Sequence, residues 1–289
     1  MTRNAYIIDI ESFVFPDNPQ FQDLSSDERK RLDDGYILTS TNKILDYLRE
    51  TGLKLTFAVV AELYEWYPEL IDKIAEDGHE IGYHGHTHRI IRSADVLASE
   101  LERSEAFIER YKPAFYQAPA IYFVREGYQL LRQAGFKYSN NVYTGEPCMV
   151  DGILEIPVTT TGAAPQERVY PHHMTVGSLL KTCPFGSELF TAVLSTGRLL
   201  KLYNAFNAEG RNTVSFIHDW QFVTDRRRKY PRLSDVLKQP LYLPYTWNLW
   251  NKFRRLTSDL EFCRISCIFD DYVVASGMND GTAEEGRDD

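Results

Sequence analysis

Long apolar runs are missing from this sequence. The first ten residues lack the apolar stretch of a signal peptide, and no segment reaches the roughly 18 consecutive apolar residues of a membrane span. These two absences predict a cytoplasmic protein without a membrane span.

Cysteine is scarce, with four residues in a chain of 289. Cys148, Cys183, Cys263 and Cys267 are too few and too scattered for a disulfide framework in a chain of this length. The pair Cys263 and Cys267 has no second pair at the spacing of a structural zinc site. We therefore expect reduced thiols.

Excess positive charge is also missing, because the formal net charge is −9. Nucleic acids and anionic lipid surfaces attract proteins through a basic field, which this composition does not supply. The composition therefore excludes nucleic acid as an expected partner and leaves the oligomeric state open.

The sequence does contain a regular alternation of short apolar segments with amphipathic ones. It predicts strands at residues 5–11, 55–60, 80–83, 115–117, 136–139, 153–158, 213–218 and 263–268, and helices at 41–50, 68–76, 94–110, 124–134 and 247–256. Strands that alternate with helices indicate a parallel sheet, and this number of units favours closure into a barrel. An open, doubly wound sheet is the alternative.

The pattern also predicts the domain organisation. We expect one domain over residues 1–276, with insertions at 15–35 and 159–210 where the alternation loosens. The remaining residues, 277–289, are rich in Gly, Asp and Glu, and this composition predicts a disordered acidic tail.

Three of the seven histidines fall in the run His84-Gly-His-Thr-His88, directly after a predicted strand. Ligands that follow a barrel strand are well placed to bind a metal ion. The rings of His84 and His88 could share one ion if the chain turns after the strand, whereas His84 and His86 could do so if the strand continues. The spacing leaves both pairs open, as well as a histidine cluster without an ion.

Two carboxylates and one further histidine also lie at predicted strand ends. Asp9 and Glu11 share one face of the first strand, so that one can bind a metal ion while the other accepts a proton from water. His218 ends the strand at 213–218, which would place it across the barrel mouth from Asp9 as a candidate acid. Taken separately, these residues could be solvated charges and a core histidine.

Together these residues resemble the motifs of the polysaccharide deacetylases, also called the NodB homology or carbohydrate esterase 4 group. The resemblance covers residues 6–218 and rests on six segments in the family's order: Asp9-Ile-Glu11, His84 with His88, Gln117-Ala-Pro119, Gly135-Phe-Lys-Tyr-Ser139, Glu155-Ile-Pro157 and Ile217-His218.

The resemblance implies an incomplete or distorted (β/α)7 barrel and a metal-dependent hydrolase. The implied reaction removes an N-acyl group, expected to be N-acetyl, from an amino sugar or a sugar-containing metabolite. Asp9 would be the general base, Glu11, His84 and His88 the metal ligands, and His218 the general acid. The implied ion is divalent, with Zn²⁺ first and Ni, Co or Fe as alternatives.

Four residues near predicted strand mouths are expected to contact the carbohydrate: Tyr116, Gln117, Pro119 and Trp220. The sequence departs from the family pattern at Gln117, where the family has arginine, at Glu11, where aspartate is commoner, and at Asp219, where the family has proline. Three other functions remain as alternatives: a deformylase or cyclic-amide hydrolase of the same family, a catalytically silent carbohydrate-binding homologue, and an amidohydrolase-type barrel that uses His84 and His86.

Overall fold

The structure is a computed structural model. It describes residues 2–17, 20–143, 145–162, 170–173, 175, 177, 181–224, 237 and 243–277. The predicted acidic tail, apart from Gly277, and parts of the predicted insertion at 159–210 lie outside the described residues.

One curled sheet of eight strands organises the fold. The strands are β1 (Asn4–Ile10), β2 (Thr56–Val59), β3 (Glu80–Tyr83), β4 (Phe115–Tyr116), β5 (Tyr138–Ser139), β6 (Cys148–Val150), β7 (Ile153–Glu155) and β8 (Thr213–His218). Their order is β6-β7-β5-β4-β3-β2-β1-β8, and every neighbouring pair is parallel except β6 and β7. Seven parallel strands that stay open between β7 and β8 confirm the predicted incomplete (β/α)7 barrel.

Helices pack against this sheet. They are α1 (Ser26–Asp33), α2 (Tyr36–Thr51), α3 (Glu62–Trp66), α4 (Pro68–Glu76), α5 (Ala94–Arg103), α6 (Glu105–Tyr111), α7 (Gly127–Gln133), α8 (Glu188–Val193), α9 (Thr196–Ala208), α10 (Trp250–Asp259) and α11 (Ser266–Ser276). Their termini follow local chemistry: proline is the first residue of α4, and the Ser93 hydroxyl accepts a hydrogen bond from Val96 N at the start of α5. None of the described helices combines the length and the apolar character needed to cross a lipid bilayer.

Two predicted elements differ from the structure. The helix predicted at residues 94–110 is divided at Ser104 into α5 and α6. The strand predicted at 263–268 is wrong, because only Cys263 bridges to Ala5 and α11 begins at Ser266. A short apolar run fits a strand and a buried helix equally well, so hydrophobic periodicity could not distinguish the two.

The side chains of the parallel strands alternate between two apolar clusters. Tyr6 and Ile8 of β1 pack in the cluster that contains the apolar faces of the covering helices. Ala5 and Ile7 pack in a second cluster with inward residues of the other strands, such as Phe115. Because strand side chains have a period of two, Asp9 continues the inner series of β1 toward the barrel mouth.

The open seam between β7 and β8 is spanned by residues around Thr159 and Gly186. Thr159 N donates to Val214 O (3.1 Å), Gly186 N donates to Thr159 O (3.0 Å), and Phe216 N donates to Gly186 O (2.9 Å). Gly186 therefore lies between Thr159, which follows β7 in the chain, and the edge of β8, and it leads directly into α8.

Replacing Gly186 with alanine is expected to destabilise the fold by about 1–3 kcal/mol, the usual cost of overpacking. An added Cβ would lie 2.3 Å from Val214 O and 2.9 Å from Thr159 N, so the seam must open. Gly197→Ala in α9 is the matched control, because its Cβ would meet nothing within 4 Å and alanine favours helix. Urea unfolding of both variants checks this expectation, and equal midpoints would contradict it.

Candidate active site

The carboxyl ends of the parallel strands bring the candidate residues into one row. Asp9 pairs with His218 across β1 and β8. Beyond the strands the ladder continues, since Val60 N donates to Ile10 O (3.1 Å) and His84 N donates to Val59 O (2.9 Å). These bonds place Glu11 and His84 at the same level of the sheet, separated by one strand.

A sharp turn after β3 carries His88 back toward His84. Gly85 and His88 have positive φ angles of 80° and 59°. The fully buried Glu100 carboxylate holds the turn by accepting hydrogen bonds from the backbone N–H groups of His86 and Thr87 (both 2.8 Å). The rings of His84 and His88 lie 5.0 Å apart between centroids.

The same turn directs the His86 ring elsewhere. Its Nδ1 lies 3.1 Å from the Ser104 hydroxyl, and its Nε2 lies 3.7 Å from Glu65. His86 is not among the residues of the metal-ligand group found in the described part of the chain, which consists of Glu11, His84 and His88. The geometry therefore favours the pair separated by four residues over the His-x-His pair.

Glu11, His84 and His88 each offer a ligand atom within 4.8 Å of the other two. Glu11 Oε2 lies 3.8 Å from His84 Nε2 and 2.5 Å from His88 Nε2. His84 Nδ1 lies 2.9 Å from the carbonyl oxygen of Gln117, which can only accept, so Nδ1 carries the proton and Nε2 presents its lone pair. Two imidazole nitrogens and one carboxylate oxygen form a donor set suited to a catalytic Zn²⁺.

Electrostatics favours the protonation state that can bind a metal ion in two of these groups, His84 and Glu11. Burial and the neighbouring His88 ring lower the pKa of His84 to about 3, so its imidazole is neutral. Burial alone would raise the pKa of Glu11, but the His88, His218 and His84 rings hold it below its ordinary value. Burial disfavours the charged form of His88, yet Glu11 outweighs this and raises the pKa of His88. A cation would replace the His88 proton between these two side chains.

Asp9 and His218 lie on the other side of Glu11. His218 Nε2 is 3.9 Å from Asp9 Oδ2 and 3.3 Å from Glu11 Oε1, while its Nδ1 is 3.3 Å from Gln221 Oε1. The Trp220 ring stacks on His218 at 4.5 Å with an interplanar angle of 6°, and its Nε1 donates to Glu11 Oε1 (3.1 Å). Burial, followed by Glu11 and then Glu188, raises the pKa of Asp9 well above its ordinary value.

Glu188 is a residue of this site that sequence reasoning missed. It is 4% exposed, begins α8, and carries a carboxylate whose pKa is raised by burial, although His218 and a hydrogen bond with Tyr245 oppose that rise. The only available signal was the helix start at Ser187-Glu188. Gln221, three residues after His218, was also missed.

The four predicted carbohydrate contacts have different positions. Trp220 lies in the site, Pro119 packs beside Gly85, and Gln117 lies beside His84. Tyr116 requires correction: it is fully buried, and its ring packs against Phe123 and other rings of the outer cluster. Tyr116 precedes Gln117, so strand alternation turns it toward the helices and away from the mouth.

Comparison with known proteins shows which family part of this chain is similar to. The family model described as polysaccharide deacetylase matches residues 31–139. The matched range includes His84, His88 and Gln117, whereas Asp9, Glu11 and His218 lie outside it.

Curated relatives match over similar lengths. A peptidoglycan-N-acetylglucosamine deacetylase of Bacillus cereus is 34% identical over 92 residues, which are 30% of this chain and 34% of that relative. A chitooligosaccharide deacetylase of Rhizobium leguminosarum bv. trifolii is 32% identical over 108 residues, which are 36% of this chain and 46% of the relative. The match thus spans less than half the length of either relative.

Two solved structures share the fold. A protein of Mycobacterium smegmatis assigned as a polysaccharide deacetylase has a TM-score of 0.58 at 20% identity, covering 97% of this chain and 93% of that one. Puue allantoinase has a TM-score of 0.50 at 16% identity, covering 89% and 90%. Residues 31–139 are therefore similar to the polysaccharide deacetylase family, and the two solved structures show a shared barrel fold.

Proposed function

We propose that this protein is a metal-dependent hydrolase that removes an N-acyl group, expected to be N-acetyl, from an amino sugar or a sugar-containing metabolite. The observation that carries the proposal is the group Glu11, His84 and His88, flanked by a buried carboxylate and a further histidine. The names of the curated relatives, a peptidoglycan-N-acetylglucosamine deacetylase and a chitooligosaccharide deacetylase, support the substrate class.

The metal ligands and the flanking groups divide the chemistry between them. A divalent ion held by Glu11, His84 and His88 would supply Lewis acidity to the amide carbonyl and to water. Asp9 accepts a proton from the attacking water, and its raised pKa makes it a stronger base than an ordinary aspartate.

His218 is suited to protonate the departing nitrogen. Its Nε2 faces the carboxylates of Asp9 and Glu11, while Gln221 and the stacked Trp220 ring fix the orientation of the imidazole. An amine that left without this proton would be a strongly basic anion, so general acid catalysis is worth about 10²–10⁴-fold in rate.

Hydrolysis of N-acetylglucosamine oligomers tests the proposal. We expect the zinc-loaded protein to release acetate, to lose this activity on chelation, and to regain it when Zn²⁺ is restored. Acetate assays combined with metal analysis of the same samples provide the measurement. Folded protein that stays active without any ion would contradict metal dependence.

The alternative of a catalytically silent carbohydrate-binding homologue predicts a different result in the same assay. Gln117 stands where the family has arginine, and the charges acting on Asp9 are the carboxylates Glu11, Glu188 and Asp219. A site that binds Zn²⁺ and the oligomers but hydrolyses no N-acyl sugar would favour the carbohydrate-binding homologue.

A further inference from the structure

Two buried carboxamides extend the row of site residues beyond His84. Gln117 N donates to Tyr83 O, and Asn140 N donates to Tyr116 O, both at 3.0 Å. In a parallel ladder these bonds place Gln117 beside His84 and Asn140 beside Gln117. The two carboxamides therefore follow β4 and β5 at the level of the candidate metal ligands.

Strand alternation turns both carboxamides toward the barrel mouth. Phe115 and Tyr138, two residues earlier on their strands, belong to the inner cluster that also contains Ala5 and Ile7. Residues two apart share a face, so Gln117 and Asn140 continue the inner series as Asp9 does on β1.

Much of the hydrogen-bonding capacity of these carboxamides is unused. Gln117 is fully buried, and within the described part of the chain neither its Oε1 nor its Nε2 has a hydrogen-bond partner. Asn140 is also fully buried, and it donates through Nδ2 to Ile156 O (2.6 Å), but its Oδ1 accepts no bond from any described residue. A buried polar atom without a partner is destabilising, so a bound group or internal water is needed to fill these positions.

We propose that Gln117 and Asn140 form a subsite for a neutral substituent of the substrate that carries both a hydrogen-bond donor and an acceptor, such as a hydroxyl or a carboxamide. This inference rests on the proposed function. Gln117 is 0% exposed, Asp9 and His84 are themselves only 2% exposed, and Gln117 lies beside His84, so a substrate that reaches His84 also reaches the subsite.

The charge of the surroundings gives the subsite its selectivity. Gln117 brings no charge, while Asp9, Glu11 and Glu188 place carboxylates around the same mouth. An anionic substituent would meet these carboxylates and would gain no ionic partner from Gln117. The subsite therefore selects uncharged N-acyl amino sugars over those with a carboxylate on the same ring.

A matched pair of substrates measures this selectivity. The pair is an N-acetylated amino-sugar oligomer that carries an O-lactyl carboxylate and the same oligomer with the lactyl group converted to its amide. We expect the zinc-loaded protein to prefer the amide by about 10- to 100-fold in kcat/KM, because unpaired buried polar groups penalise a substrate that cannot satisfy them. Equal values, or a preference for the carboxylate, would overturn the inference.

Substitutions assign the effect to the subsite. Gln117→Met keeps the length of the side chain and removes both polar atoms, so KM for the amide oligomer should rise about tenfold with a smaller change in kcat. Tyr116→Phe is the matched control, because it removes from the outer face, one residue away, a hydroxyl that bonds to no described residue, and it should leave KM unchanged. Gln117→Arg should shift preference toward the carboxylate.

Binding measurements separate this inference from the proposed function. If no oligomer is hydrolysed, the proposed function fails, and calorimetry with the amide oligomer on the zinc-loaded wild type and Gln117→Met still tests the subsite. Affinity that falls about tenfold in the variant supports the subsite. A folded Gln117→Met protein with unchanged KM and unchanged affinity would show that internal water fills these positions, and the inference would be wrong.

Discussion

Replacing His84 with alanine is expected to weaken Zn²⁺ binding more than about 100-fold. Loss of a residue that only orients a metal ligand costs up to about 100-fold in affinity, and loss of the ligand itself should cost more. The Gln117 carbonyl oxygen fixes the proton on Nδ1, so the lone pair of Nε2, which lies 3.8 Å from Glu11 Oε2, can bind the ion. Titration of the purified variant against a chromophoric chelator measures the affinity, and circular dichroism confirms that the variant is folded.

His86→Asn is the matched control in the same turn. The His86 ring contacts Ser104, and the backbone N–H of residue 86 continues to bond Glu100 in the variant, so Zn²⁺ affinity should stay within a few-fold of the wild type. The opposite result would be loss of the ion in His86→Asn and in His84→Ala but not in His88→Ala. That result would replace the proposed ligand set with the His-x-His arrangement of an amidohydrolase-type barrel.

Hydrophobic periodicity predicted the helices and strands correctly where the apolar pattern was clear. The bounds of α4, β3 and β8 were predicted correctly, because each has a clear apolar pattern and a defined end, such as Pro68 at the start of α4. The positions of Asp9 and His218 at strand ends follow from the same pattern. What places these two residues opposite each other is the pairing of β1 with β8, which joins segments far apart in the chain.

The choice between His86 and His88 could not be made from spacing. It depends on the positive φ of Gly85 and on a hydrogen-bonding carboxylate, Glu100, that arrives from α5. Glu188 depends in the same way on the seam contact of Gly186 with β8. Tyr116 was different, because strand alternation alone shows that it and Gln117 cannot face the same side.

Replacing Asp9 with asparagine is expected to lower kcat by about 10²–10⁴-fold while Zn²⁺ stays bound. Asparagine keeps the shape of the side chain, but it cannot accept the proton of the attacking water. Because Asp9 lies outside the ligand group and is fully buried, the variant should bind Zn²⁺ as the wild type does and should resist urea at least equally well. Steady-state kinetics with N-acetylglucosamine oligomers, beside metal analysis and urea unfolding, distinguish lost chemistry from lost structure.

The pH profile of the same variant makes the assignment of the base specific. A base acts only when it is deprotonated, and burial with the neighbouring carboxylates raises the pKa of Asp9, so wild-type activity should fall as pH decreases through that raised pKa. The residual activity of Asp9→Asn should lack this acidic limb. If the variant instead kept more than a tenth of kcat and the same limb, another carboxylate would be the base, and Glu188, buried beside His218, would be the residue to replace next.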